Sequence, residues 1–244
     1  MLQTMPRWTQ RLTTLGVLVS LAALLSGCFQ VTHKSVIAPD LTGSTTLRIG
    51  VSKAALAQLS DLAGANGITG NGTAGSMGFD PADAVQQIGD QLTQLGGTAT
   101  PFDDGDYVGV DVFFNFSSLD EMTRQLNGLL SGTSGPSAQA ALASGQAGIL
   151  TLTARTLPDG GVRVEGNVDP LSFLGDPNNV LAALSPDLSQ AITSDPNAQI
   201  TLAFQMPGAI RTTDAAAQRS GTTATWTFPI GSAPASLFVE SDPR

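Results

Sequence analysis

The chain has one cysteine and one histidine in 244 residues, and only 13% of it is charged. A single cysteine excludes an internal disulfide and any zinc site built from several thiolates. With His33 the only imidazole, a serine nucleophile has one histidine to choose from as its base. Basic residues are scarce: Lys and Arg number 11 against 20 Asp and Glu, for a net charge of −9. A phosphate backbone is bound by clustered Lys and Arg, so nucleic acid is not expected as a partner. The same acidity opposes long-range attraction to an anionic membrane surface. The longest apolar run is too short to cross a bilayer comfortably as a permanent helix. What is present is 41% hydrophobic residues with 27 Gly and 14 Pro, the composition of a globular chain rich in turns.

The amino terminus carries the strongest signal. Arg7 and Arg11 precede the apolar run Leu15 to Leu25, which ends in Leu25-Ser26-Gly27-Cys28. Charge, apolar stretch and small residues are the three parts of a secretory signal, and the last four residues resemble the lipobox of bacterial lipoproteins. Cleavage is then expected between Gly27 and Cys28, with a diacylglyceryl group on the Cys28 thiol. Two or more acyl chains hold a protein stably where one is marginal. The competing reading is an ordinary signal peptide or anchor helix that happens to end at a cysteine. An acylated Cys28 cannot also be a catalytic thiol. These residues predict a signal peptide over 1–27 and one domain over 28–244, held by lipid at the extracytoplasmic face of the cell membrane.

Beyond the anchor, periodicity predicts a strand from Val31 to Ile37. Thr45, Leu47, Ile49 and Val51 alternate with polar partners to form a second strand, joined to the first by the Asp40-Leu41-Thr42-Gly43-Ser44 turn. Ser52 stands at an N-cap position before a short helix over Lys53 to Leu59. Asp80 and Pro81 open a better helix, with Val85, Ile88, Leu92 and Leu95 on one face. A strand runs from Tyr107 to Phe116, and Ser118 caps a helix with Leu119, Met122, Leu126 and Leu129. Strands over 149–156 and 162–168 make a hairpin about Leu157-Pro158-Asp159-Gly160-Gly161. A weaker helical region covers 180–192, and strands follow at 199–205, 222–230 and 235–240. Gly- and Ser-rich stretches at 63–78 and 130–148 read as flexible loops. Helices inserted between hairpins predict an α+β fold: a mainly antiparallel sheet with two or three helices packed on it.

The chemical motifs are weak. Gly70-Asn71-Gly72-Thr73-Ala74-Gly75 matches a dinucleotide fingerprint but lacks the strand before it and the helix opening on it. Gly50-Val51-Ser52-Lys53-Ala54 nearly matches a nucleophile elbow without its final glycine. His33, Lys34 or Lys53 would have to serve as base to Ser52, so an ordinary cap is the better reading. Asp103, Asp104 and Asp106 cluster around Gly105 without the spacing of a calcium loop. Phe204, Trp226 and Phe228 read as core residues. No metal, cofactor or catalytic residue is expected.

The order of parts resembles the LppM-domain family of actinobacterial envelope lipoproteins. The likeness is carried by the lipobox at Cys28, by Gly50-Val51-Ser52-Lys53, by Tyr107-Val108-Gly109-Val110-Asp111-Val112, and by Phe204-Gln205-Met206-Pro207-Gly208 through Thr225-Trp226-Thr227. The resemblance implies a lipid-binding or lipid-handling envelope module without established catalytic residues. Relatives often continue into a carboxy-terminal membrane helix. This chain stops at Arg244 after a polar strand, so the acyl group is expected to be its attachment. A lipid or glycolipid held between sheet and helices predicts an apolar cavity of roughly 300–1,000 Å³, lined by side chains such as Leu92, Leu95, Val112 and Phe114. A structural or protein-interaction lipoprotein predicts a solid core instead, and a hydrolase built on Ser52 ranks last.

Overall fold

In the computed structural model, residues 29–54, 56–57, 97–130, 148–170, 172 and 198–244 are described. Alternation starts at once: Val31, His33, Ser35 and Ile37 are buried, while Gln30, Lys34 and Val36 are exposed. A chain with that period puts one face in the core as a strand, here β1 (Phe29–Ile37). The reversal after it uses Leu41 in the left-handed region at φ 67°. Asp40 Oδ1 accepts the Thr42 backbone N–H at 3.2 Å and its hydroxyl at 2.7 Å. β2 (Gly43–Ser52) then returns antiparallel, pairing Phe29 with Val51 and Ile37 with Gly43.

β3 (Thr98–Asp103) and β4 (Tyr107–Phe116) form the next hairpin, turning at Gly105 with φ 96°. α1 (Leu119–Leu130) follows. Its first turn is capped by the Ser118 hydroxyl, which accepts the Glu121 N–H at 3.2 Å, while the Glu121 carboxylate accepts the Ser117 N–H at 2.7 Å. These bonds satisfy amides that a helix start leaves without partners. The rest is strand: β5 (Leu150–Thr156), β6 (Val162–Val168), β7 (Gln199–Gln205), β8 (Ile210–Thr213), β9 (Gln218–Ser220), β10 (Thr223–Pro229) and β11 (Ala235–Ser241).

The strands make two sheets. The large one has seven strands in the order β3-β4-β2-β1-β7-β10-β9, and the small one four in the order β5-β6-β11-β8. β1 lies at the centre of the large sheet and runs parallel to β7; the other registered pairs are antiparallel. One apolar core joins both sheets, with Phe114, Phe204 and Trp226 from the large sheet and Leu152, Val164 and Val239 from the small one all buried. α1 packs against β4 of the large sheet and β5 of the small one. Asp214 ties the sheets further: its carboxylate accepts the Trp226 indole N–H of β10 at 2.9 Å and the Phe238 backbone N–H of β11 at 2.9 Å.

The predicted α+β fold with two or three helices on one sheet is therefore corrected. Among the described residues the protein is mostly β, with two sheets, the one full helix α1 and a short helical stretch at Lys53, Ala54, Leu56 and Ala57. The physical reason is that hairpin alternation shows that strands exist but not which sheet they join. The 149–168 hairpin pairs with β11 instead of extending the first sheet. Its apolar face, with Leu150, Leu152, Val162 and Val164, contributes core that the sequence reading gave to helices. Lys53, Ala54, Leu56 and Ala57 are helical as expected, and the rest of that predicted helix lies outside the described residues. So do the predicted helix from Asp80 to Leu95, the region 180–192, the loop 63–78 and all but the two end residues of the loop 130–148.

Candidate functional site

The inner face of the large sheet carries an unexpected polar cluster. His33, Ser35 and Thr45 are 2%, 0% and 1% exposed, and alternation on β1 and β2 points all of them inward. His33 Nε2 lies 2.9 Å from Ser35 Oγ and 2.8 Å from Thr45 Oγ1. The Ser35 hydroxyl donates to Met122 Sδ at 3.0 Å and the Thr45 hydroxyl to the Lys34 carbonyl at 3.2 Å. The two hydroxyls also lie 2.9 Å from each other, so Nε2, Ser35 and Thr45 form one three-membered cluster, while Nδ1 has no partner. The ring meets Phe204 edge-on, centroids 5.7 Å apart. Burial alone pulls its pKa down from 6.5 to about 4, because a cation there would lose its hydration. A Ser–His contact of this kind can activate a nucleophile, but here both groups are enclosed in the core and no carboxylate of the described residues orients the ring.

Beside the cluster, where α1 and the two sheets meet, the core leaves a void of about 20 Å³ bordered by His33, Leu47, Leu126, Leu150, Val168 and Leu202. That is room for about one water. It is far below the roughly 300–1,000 Å³ of ligand pockets.

The structure disperses the residues singled out from sequence. Val112 and Phe114 are core residues at 1% and 0% exposure and do not border this void. Leu92, Leu95, Gly27 and Cys28 lie outside the described residues. Ser52 ends β2, and His33 pairs with Leu47 five positions earlier, a separation of about 17 Å at the usual strand rise. Lys53 is engaged by Asp103 at 2.5 Å. Of the acidic turn, Asp103 also accepts the Gly105 N–H at 3.1 Å and Asp104 the Tyr107 N–H at 2.9 Å, the work of turn residues. No grouping of three metal-ligating side chains exists among the described residues. Phe204, Trp226 and Phe228 are buried, as the sequence predicts.

The larger space is one that the sequence reading missed. An open groove of about 430 Å³ runs across the end of the large sheet where β1 and β7 finish. Val36, Ile37, Pro39, Met206 and Pro207 line it together with polar Ser44 and Asn115, and Arg244 is its single charged lining residue. Val36 is 40% exposed there, one of two large apolar side chains so placed among the described residues. The β1–β7 crossing that builds the groove joins segments more than 160 residues apart in sequence, which no local pattern announces. The signal available in the sequence was the pair Ala38-Pro39 and Met206-Pro207, two strand ends that each stop at a proline.

Comparison with known proteins gives a family. The LppM domain model matches residues 31–236, most of the chain. The chain belongs to the LppM-domain family, as its sequence suggested. The NMR structure of the folded domain of Mycobacterium tuberculosis LppM aligns over 89% of this chain and 91% of that one, at 17% identity and a TM-score of 0.44. No curated protein matches.

Proposed function

We propose that this LppM-domain protein is an exported lipoprotein held to a membrane by acylated Cys28, and that its folded module is a non-catalytic binder of an envelope lipid or glycolipid. The observation that carries the location of binding is the contrast in volume: about 20 Å³ between the sheets against about 430 Å³ in the groove. Only the second falls in the range that admits a small ligand. Val36, Ile37, Pro39, Met206 and Pro207 offer apolar contact for an acyl chain, and Arg244 offers one cation for an anionic head group. The rest of the lining is uncharged, so an amphiphile with a single negative head matches the groove better than a polyanion.

The expected result is that native mass spectrometry of the detergent-solubilised protein finds a bound phosphatidylglycerol or related anionic lipid, and that Val36→Trp, at an exposed strand position, removes it without unfolding the chain. A wild-type protein that never carries or takes up lipid defeats the binding reading. The filled interior favours a second reading, a structural or protein-interaction lipoprotein. That reading gains if crosslinking in the envelope captures a protein partner and the groove stays empty.

A further inference from the structure

The groove and the acylation position lie at opposite ends of one strand. β1 opens at Phe29, the residue after Cys28, and Phe29 is already in register with Val51, so no linker separates the anchor from the sheet. The strand closes eight residues later at Ile37, on the groove. At a rise of about 3.3 Å per residue the two ends are about 26 Å apart. β7 runs parallel to β1, so Met206 emerges at the groove end. Antiparallel β2 and β10 begin at that end, with Gly43 and Thr223. The anchor end holds instead Ser52, Tyr107 and the turn at Asp104–Asp106.

We infer that the groove opens away from the membrane that holds the acyl anchor, so that its occupant, an amphiphile with one anionic head group, is delivered across the envelope space and not drawn from the leaflet beneath. This rests on the acylation and groove binding proposed above. A one-residue tether pins the Phe29 end at the bilayer. Among the described residues, nothing on the solvent face of the large sheet holds the sheet flat against lipid. That face carries Thr32, Thr46, Thr201, Thr225 and Thr227 in successive register positions. Its basic residues on β1 and β2 are Lys34 and Arg48, and Arg48 is neutralised by Asp111 at 2.7 Å. Val36 and Phe113, exposed at 40% and 42%, stand apart with β2 between them. Lying in the interface requires a continuous apolar face with a basic rim, and the described residues of this face supply neither.

The test uses the acylated chain in phosphatidylcholine–phosphatidylglycerol vesicles, with spin labels on Asn115→Cys or Ser44→Cys at the groove and on Asp106→Cys at the other end. The Asp106→Cys label should sit at head-group depth, relaxed by lipid-soluble oxygen. The groove labels should behave as in bulk water, relaxed by a soluble nickel chelate. Fluorescent phosphatidylglycerol should load the protein from separate donor vesicles faster than from the host vesicle. Equal depth at both ends, or equal loading from the host leaflet, overturns the inference. Intact mass of the same sample separates the failures: an unmodified Cys28 sinks the anchoring reading, and an acylated protein that never takes up the lipid sinks the binding reading.

Discussion

The two sheets face one another across one core yet are built to different rules. The small sheet presents a mostly apolar inner face, Leu150, Leu152, Val162, Val164, Val168, Leu237 and Val239, with Thr213 and Ser241 the polar exceptions toward its β8 edge. The large sheet interrupts the same kind of face with His33, Ser35 and Thr45 at its centre and ends in the groove. The small sheet gains stability from burial that has no directional requirement. The large sheet trades some of that for a hydrogen-bonded cluster whose members must all be in place, since a buried polar group without partners is costly. The difference teaches that the central strand carries more than packing: β1 leads from the position proposed for the anchor, through the polar cluster, to the groove.

The comparison is sharpened most by truncation on each side of the core. Trp226→Ala removes a buried ring that packs edge-on against Phe204 with centroids 5.8 Å apart, and also the donor to Asp214. A loss of about 3–5 kcal/mol is expected. Leu237→Ala in the small sheet should cost about 2–4 kcal/mol. Urea unfolding of the two variants checks the order, and equal or reversed losses break the contrast.

Acidification should separate the sheets next. The folded His33 has its pKa pulled down to about 4 from 6.5, so the unfolded chain takes up the proton first. Its contribution is therefore intact above pH 6.5 and declines as pH falls toward 4, by about 3 kcal/mol in all. None of the described side chains facing the ring, Leu47, Leu202, Phe204, Met122, Leu126 and Leu150 among them, can titrate. Melting curves at pH 7 and pH 4.5 for the wild type and for His33→Gln should show the acid loss shrinking in the variant. An unchanged pH dependence places the acid sensitivity elsewhere. The smallest effect is expected on the solvent face, where Arg48→Ala removes a partly exposed bidentate pair with Asp111. The expected cost is at most about 1 kcal/mol, and addition of salt should reduce it further.

How much of this was legible in the sequence differs between the same two regions. β1, β2, β4, β5, β6, β7, β10 and β11 were readable because period-2 alternation is a local property, and α1 because Ser118 and its apolar stripe mark both its start and its buried face. β3 escaped because Pro101 and a mostly exposed pattern argue against a strand, which is tolerated at the edge it occupies. β8 and β9 are too short to show a period. The existence of a second sheet, the parallel β1–β7 pair and the groove between their ends depend on contacts between distant segments. His33 was considered only as a base for Ser52. Its position two residues from both Val31 and Ser35 on an inward-facing strand was the overlooked sign of a buried polar cluster.

The most direct test of where the ligand sits is photocrosslinking with a diazirine-bearing phosphatidylglycerol, followed by peptide mapping of the acylated wild-type protein. Label is expected on Val36 to Pro39 and on Gln205 to Pro207, and it should disappear in Val36→Trp. Label concentrated instead on Leu126, Ile149 and Leu150, around the void between the sheets, would contradict the account.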